Sequence, residues 1–141
     1  MKRHDPATLV ERYFDEVWNE GRVEVLDELL TEDYVNHSPA GDTPAPGPRG
    51  LAPIVQAMRA AIPDLTYEVL DVVAGEDKVA VRTRVRGTLT GTLFGIAPTG
   101  RTFDVEQMQI EHLRDGRIAA HWRLTDELAQ LRQLGLLHQA V

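Results

Sequence analysis

A carboxyl group, an imidazole and an indole lie close together near the C-terminal end of the chain, in Met108-Gln-Ile-Glu-His112 and Ile118-Ala-Ala-His-Trp122-Arg-Leu-Thr-Asp126. The turn between the two stretches is Arg114-Asp115-Gly116-Arg117, and Asp-Gly between alternating segments is a strong hairpin signal. Side chains alternate faces along a strand, so Met108, Ile110 and His112 share one face of the first strand. Ile118, Ala120, Trp122 and Leu124 share one face of the second, and Asp126 continues that parity. With both apolar faces turned inward, Asp126, His112 and Trp122 converge in a greasy pocket walled by Met108, Ile110 and Leu124, while His121 and Arg123 point outward. Burial there raises a carboxyl pKa, which suits acid/base chemistry near neutral pH. The competing role for Asp126, or for Thr125 beside it, is to cap the helix that follows at residues 127–134.

The elements that have to position these groups are legible upstream. Asp5-Pro6 opens a first helix as N-cap and first helical residue, and Leu9, Val10, Tyr13, Phe14, Val17 and Trp18 follow at helical spacing until Gly21 stops it. Tyr13 on that buried face needs a hydrogen-bond partner; its hydroxyl either donates into the pocket or reaches solvent. Residues 23–30 make a short second helix, and Tyr34 and His37 follow it. His37 precedes a Pro/Gly-rich loop at residues 39–48, whose length suits a lid or a mobile surface tip. A third helix spans about residues 50–62 on the stripe Leu51, Ile54, Val55, Met58 and Ile62, with Pro63-Asp64 ending it.

Strands take over from there. Leu65, Tyr67 and Val69 alternate towards Val73, and Val79, Val81, Thr83 and Val85 alternate against Arg82, Arg84 and Arg86. That arginine row is a phosphate site or, more in keeping with an antiparallel sheet, a solvated or subunit-facing surface. Residues 87–102 form a glycine-rich extended hairpin, residues 103–114 and 117–124 the last two strands, and Leu128, Leu131 and Leu134 the stripe of a closing helix ended by Gly135. Three helices, then four or five mostly antiparallel strands, then a short helix give an α+β fold. A strongly curved sheet wrapped round the N-terminal helices makes a cone with an internal pocket, formed as one domain over residues 1–141.

Composition narrows the function. The 141 residues carry 15 basic and 22 acidic side chains for a net charge of −7, which argues against nucleic acid or an anionic membrane as the main partner. There is no cysteine, so disulfides, thiolate nucleophiles and Cys-based metal sites are excluded. No apolar run is long enough for a bilayer, and Met1-Lys-Arg-His-Asp-Pro is not followed by the apolar core of a leader; a cytoplasmic protein is expected. No glycine-rich phosphate loop precedes a helix. Ser38, the only serine, lacks a nucleophile-elbow setting. His37, His112 and His121 do not converge as a metal triad would need, because His121 has the opposite strand parity to Trp122 and Asp126.

Several of these residues together carry a family pattern. Val10-Glu-Arg-Tyr-Phe with Trp18-Asn-Glu-Gly, Asp33-Tyr34-Val-Asn-His37, Pro63-Asp64-Leu, and Gly116-Arg-Ile-Ala-Ala-His-Trp122 with Asp126 and the following Leu-x-x-Leu-Gly resemble the SnoaL-like polyketide cyclases, from about residue 7 to residue 137. These ester cyclases share their cone-shaped α+β architecture with ketosteroid isomerase and scytalone dehydratase. The resemblance implies ring closure of a polyketide-type ester by intramolecular aldol condensation, without metal or cofactor, on a hydrophobic small-molecule substrate. It implies Asp126 as the acid/base with His112 in the polar pocket, and His37 similarly placed, in a homodimer or homotetramer. Tyr13, Tyr34, Met108, Ile110, Trp122 and Leu124 would line the substrate site. The family's pocket asparagine has no clear counterpart on the third helix, and Gln109 stands where an aromatic residue would suit a flat polyketide better. The same equipment would serve an isomerase, a dehydratase or a hydrolase of another carbonyl compound, or a module that only binds a ligand or dimerises.

Overall fold

The computed structural model describes residues 5–137; residues 1–4, part of the stretch in which no leader is seen, lie outside them. The first helix, α1 (Pro6–Arg12), begins as its sequence requires: Asp5 caps it by accepting from the Thr8 backbone N–H at 3.4 Å, with Pro6 in the first turn. The expected continuous helix does not stay α-helical. From Tyr13 to Asn19 it widens into π-helical turns. Such turns carry an extra residue per hydrogen-bonded ring and recur at functional sites. Here they bury Tyr13, Phe14, Val17 and Trp18 together. Asn19 fixes the end of this segment to the sheet: its amide donates to the Tyr67 carbonyl at 2.9 Å and its oxygen accepts from the Tyr67 N–H at 2.7 Å.

A single 3-10 turn (Val23–Val25) leads into α2 (Leu26–Leu29), and the chain then enters a strand that the residue pattern does not announce, β1 (Leu30–Asn36). It is followed by the loop at residues 39–48, α3 (Pro48–Ala61), β2 (Thr66–Ala74), β3 (Lys78–Thr88), β4 (Thr102–Arg114), β5 (Arg117–Thr125) and α4 (Glu127–Gln133). The five strands form one curved sheet in the order β1-β5-β4-β3-β2, antiparallel throughout except that β1 lies parallel to β5. The helices lie against its concave side and close an α+β cone. Leu9, Val10, Phe14, Val17, Leu26, Leu29, Val55 and Ile62 from the helices meet Val79, Val81, Val85 and Phe103 from the sheet in the core. Among the described residues no helix is long and apolar enough to cross a membrane.

The β4–β5 turn has the geometry its sequence calls for: Asp115 and Gly116 both have positive φ, 54° and 76°, the pairing that matches the twist of the flanking strands. The β3 face is also as expected. Val79, Val81, Thr83 and Val85 are buried, and the arginines on the other side are neutralised locally: Arg82 pairs with Glu106 at 2.7 Å, Arg84 bidentately with Asp104, and Arg86 with Glu68 at 3.9 Å.

Asp64 ties the end of α3 to the end of β3. Its carboxylate accepts from the Thr88 N–H at 2.7 Å and the Thr88 hydroxyl at 2.8 Å. Those bonds, the backbone one first and the hydroxyl second, hold its pKa below the usual carboxylate range against a smaller opposing effect of burial. A depressed native pKa gives stability that is full above the unfolded value of about 3.9 and is lost as pH falls through the folded value. We therefore expect Asp64→Ala to cost on the order of 1 kcal/mol near neutral pH, the upper range for charged hydrogen bonds discounted for solvent screening. In urea titrations at neutral and acidic pH, the gap between variant and wild type should shrink as the carboxylate protonates; a gap independent of pH would show that the charge contributes nothing.

Candidate active site

The concave side of the sheet and the helices above it enclose a cavity of about 610 Å³, within the range of small-molecule sites. The π-helical turns contribute Tyr13 and Trp18, β1 contributes Tyr34 and Asn36, α3 contributes Leu51, Ile54 and Met58, and β2 contributes Tyr67. Ala40 to Pro44 of the loop after β1 and Leu89, Leu93, Phe94 and Ile96 of the β3–β4 hairpin border it. That loop is held close by Gly50, where a Cβ would come within 1.7 Å of the Ala45 carbonyl oxygen. The last strands supply Gln107, His121, Arg123 and Thr125, and α4 supplies Glu127 and Gln130.

The faces of β4 and β5 are therefore the reverse of the sequence expectation. Gln107, Gln109 and Glu111 point inward with Phe103 and Val105, while Met108, Ile110 and Leu124 are 57, 47 and 79 % exposed on the outer face. Trp122 is on that outer face too, its ring stacked on exposed His37 at 4.3 Å and 7°, with His112 tilted against it at 4.5 Å. The pairing itself is as expected: Ile110 lies opposite Trp122 and Met108 opposite Leu124. On β5 a bulge turned the reading over. The register shifts between His112 and Leu113, so Ile118 is buried opposite Leu113, yet His112 faces Ala120 and the inward positions thereafter are His121, Arg123 and Thr125. Period two carried from Ile118 lands on the wrong face once an extra residue intervenes. Asp126 is exposed; its side chain accepts from the Ala129 N–H at 3.2 Å, capping α4, and its neighbours Thr125 and Glu127 line the cavity. Of the residues singled out from sequence, Tyr13 and Tyr34 line the cavity; His37, His112, Met108, Ile110, Trp122 and Leu124 are on the outer face.

Sequence reasoning missed the polar groups that do meet inside. Glu111 and His121 sit directly opposite each other on β4 and β5 and are 1 and 3 % exposed. The Nδ1 atom of His121 is 2.7 Å from Oε1 and 3.0 Å from Oε2 of Glu111. A carboxylate at that distance holds a proton on Nδ1, so the lone pair of the neutral imidazole is on Nε2. Nε2 receives a long contact, 3.4 Å, from Nη1 of Arg123. Arg123 is itself held in place by Ser38, donating from Nη2 to the Ser38 carbonyl at 2.7 Å and from its backbone N–H to the Ser38 hydroxyl at 2.9 Å. Below this group runs an amide chain: Gln109 donates to the Gln107 side-chain oxygen at 2.9 Å, and Gln107 donates to the Thr125 hydroxyl at 3.1 Å. The Thr125 oxygen accepts that bond, so its own proton remains to be donated.

The three phenols of the cavity stay protonated. Burial raises the Tyr13 pKa well above its ordinary value, with the negative charge of Glu111 adding to the effect and a hydrogen bond from Trp18 and the charge of Arg123 opposing it. Tyr34 is likewise pushed up by burial, then by Tyr13 and Glu111. Tyr67 is pushed up to about 12, again by burial, against Arg123 and a hydrogen bond from Gln107. The cavity thus offers one imidazole lone pair backed by a carboxylate, phenol and alcohol donors, and one guanidinium, within walls of Leu, Ile, Met and Trp. Asn36 is also on the cavity wall. One signal was present in the sequence: Phe103 and Val105 begin β4 as buried residues, and their parity leads directly to Gln107, Gln109 and Glu111.

The family described as SnoaL-like polyketide cyclase matches residues 8–134. A nogalonic acid methyl ester cyclase from Streptomyces nogalater is 31 % identical over 121 residues, which cover 84 % of this chain and 89 % of that one. Among solved structures, TsrD from Streptomyces laurentii superimposes with a TM-score of 0.85 at 31 % identity, covering 95 % of this chain and 99 % of that one. IdmH from Streptomyces antibioticus gives a TM-score of 0.80 at 37 % identity, covering 94 and 99 %.

Proposed function

From the premise that the chain belongs to the SnoaL-like polyketide cyclase family, we propose that it is an enzyme that closes a ring in a polyketide-type ester by intramolecular aldol condensation, with His121 as the acid/base. The observation that carries this reading is His121 on the cavity wall with its Nδ1 2.7 Å from the buried carboxylate of Glu111, an arrangement that favours the proton on Nδ1 and the lone pair on Nε2. A methylene between two carbonyls is acidic enough for an imidazole to deprotonate. Nε2 takes that proton, and Glu111 stabilises the imidazolium that results. The enolate oxygen receives hydrogen bonds from phenols that burial keeps protonated, Tyr13 and Tyr34, in a site shielded from bulk water. The enolate carbon then bonds to the second carbonyl carbon, and the alkoxide formed takes the proton back from Nε2. No atom leaves, so product and substrate are isomers. The cavity contributes by folding a flexible chain until its reacting carbons meet, an entropic gain that can be worth several kcal/mol.

In this reading Asp126 serves as the cap of α4, and the outer-face residues His37, His112 and Trp122 lie outside the chemistry. The enzyme acts in the cytoplasm on a hydrophobic small molecule, as a homodimer or homotetramer; the apolar outer face at Val35, Met108, Ile110 and Leu124 is the support for that assembly.

The test is proton exchange. In D2O, the protein with a methyl ester carrying an acidic methylene and a distal carbonyl should incorporate deuterium at the methylene and accumulate a cyclised isomer, both followed by NMR. Tyr13→Phe should slow both by about tenfold or more, the scale of losing one oxyanion donor. Neither exchange nor ring closure across a series of such esters, with folded protein, would remove the cyclase reading.

A further inference from the structure

We propose that Arg123 is a further catalytic residue, whose guanidinium holds the ester carbonyl oxygen of the substrate and carries the enolate charge formed when His121 removes the neighbouring proton. This deepens the cyclase reading and rests on it for the reacting ester. Arg123 lines the cavity two residues after His121, on the same face of β5. Its Nη1 atom is 3.4 Å from Nε2 of His121. That is too long for a strong bond to the lone pair but close enough for one substrate group to meet both atoms. Nη2 is tied to the Ser38 carbonyl at 2.7 Å, and the Arg123 backbone N–H donates to the Ser38 hydroxyl at 2.9 Å. The guanidinium is thus anchored on one side and turned towards the base on the other, a donor in place before any charge develops.

The spacing suits an ester. Its carbonyl oxygen lies about 2.4 Å from the α-carbon by ordinary bond lengths and angles. A carbon within reach of Nε2 therefore brings that oxygen within hydrogen-bond reach of Nη1. As the C–H bond breaks, the proton goes to Nε2, its electron pair forms the C=C bond, and the carbonyl π pair moves to the oxygen. Arg123 donates hydrogen bonds to that oxygen and keeps its protons, because a guanidinium does not deprotonate in proteins. When the enolate carbon bonds to the distal carbonyl carbon, the pair returns and the ester C=O is restored. The methylene lies between two carbonyls, so its enolate spreads charge over two oxygens, and Tyr13 and Tyr34 serve the second. Charges then alternate along the site, from the Glu111 carboxylate through the His121 imidazolium and the enolate to the Arg123 guanidinium. The field of Arg123 already favours anionic oxygen here: against the larger effect of burial, its charge favours the ionised forms of Tyr13, Tyr34 and Tyr67. Of the nearby acids, Glu111 is bound at Nδ1, on the other side of the ring. Asp42 and Glu127 are exposed where they border the cavity, and solvent screens them.

A naphtholate imitates the enolate, since its charged oxygen sits on a flat sp2 carbon, and 2-naphthol reports its own ionisation by absorbance without turnover. Bound to the folded protein, it should ionise about one to two pH units lower than in solution, the effect of an opposite charge at close range. Arg123→Gln should return that ionisation to near its solution value, and Arg123→Lys should fall between. Deuterium exchange into the methylene of methyl benzoylacetate should slow by about 10²- to 10³-fold in Arg123→Gln, the range for removing an oxyanion donor. Bound 2-naphthol ionising at or above its solution value, a lowering that survives in Arg123→Gln, or no binding at millimolar concentration would each overturn the proposal. If the variants do not fold, wild-type affinities decide: 2-naphthol should bind more tightly as it ionises while 2-methoxynaphthalene does not change, and parallel affinities overturn the proposal. Lowered ionisation without deuterium exchange in the wild type would keep the oxyanion site and remove the cyclase. Exchange that is undiminished in Arg123→Gln would keep the cyclase and remove Arg123 from it.

Discussion

His121→Asn should lower turnover by about 10²- to 10⁴-fold, the range for removing a positioned general base, while the protein stays folded. The choice of asparagine matters. Glu111 is 1 % exposed and its near partner is the His121 Nδ1–H. His121→Ala would strand that carboxylate in the core, and an unpaired buried charge costs about 3–5 kcal/mol, enough to confuse lost activity with lost structure. An asparagine amide can still donate to Glu111 from roughly the place of Nδ1, yet it has nothing where Nε2 was. The comparison variant is Asp126→Asn. Asparagine caps a helix about as well as aspartate, so thermal stability should hold, and turnover should remain within about threefold if the base is His121, given that removing a base costs at least a hundredfold. The opposite pattern, near-normal His121→Asn and inactive Asp126→Asn, would return the acid/base role to the exposed carboxylate. Circular dichroism and a single-turnover assay on both variants decide between them.

How much of this could be read in the residues differs sharply between the fold and the site. Local signals were faithful where one short segment carried its own instruction. Asp5-Pro6 starts α1, Leu51 and Val55 define the buried side of α3, Asp115-Gly116 makes the turn between β4 and β5, and Gly135, at φ 73°, follows α4. Elements that depend on distant partners were not legible. β1 has the mixed sequence Leu-Thr-Glu-Asp-Tyr-Val-Asn and exists because β5 lies beside it; nothing within those residues alternates. The widening of the first helix at Tyr13 likewise has no local marker. The site suffered most, because its inner wall is polar and its outer wall apolar. The rule that apolar means inward holds at the start of β4, where Phe103 and Val105 are buried. It fails further along the same strand, where Gln107, Gln109 and Glu111 point inward and Met108 and Ile110 face outward. A single bulge in β5 then hid the parity that would have exposed the error.

Glu111→Gln should separate catalysis from stability in the opposite sense to most core substitutions. The substitution keeps the shape and hydrogen-bonding capacity of the side chain but removes a formal charge that burial penalises, so the thermal midpoint should stay near the wild-type value, a change within about 1 kcal/mol, or rise. Turnover should nonetheless fall by about 10²- to 10⁴-fold, as it does when the carboxylate behind a catalytic imidazole is replaced by its amide. Two effects combine. The imidazolium formed after proton abstraction loses the anion 2.7 Å from its Nδ1. An amide turned with its NH2 towards Nδ1 also forces the ring proton onto Nε2, occupying the atom that must accept the substrate proton. 15N NMR of the His121 ring reports this directly: the proton should be on Nδ1 in the wild type and shift towards Nε2 in the variant. The loss should fall on kcat, with KM little changed, since Glu111 is behind the imidazole and does not line the cavity. A Glu111→Gln protein with wild-type kcat would show that the pair is a structural strut. A variant that lost activity only through unfolding would show the same, because a catalytic role for Glu111 is visible only in a folded protein whose imidazole has lost its orientation and its counter-charge.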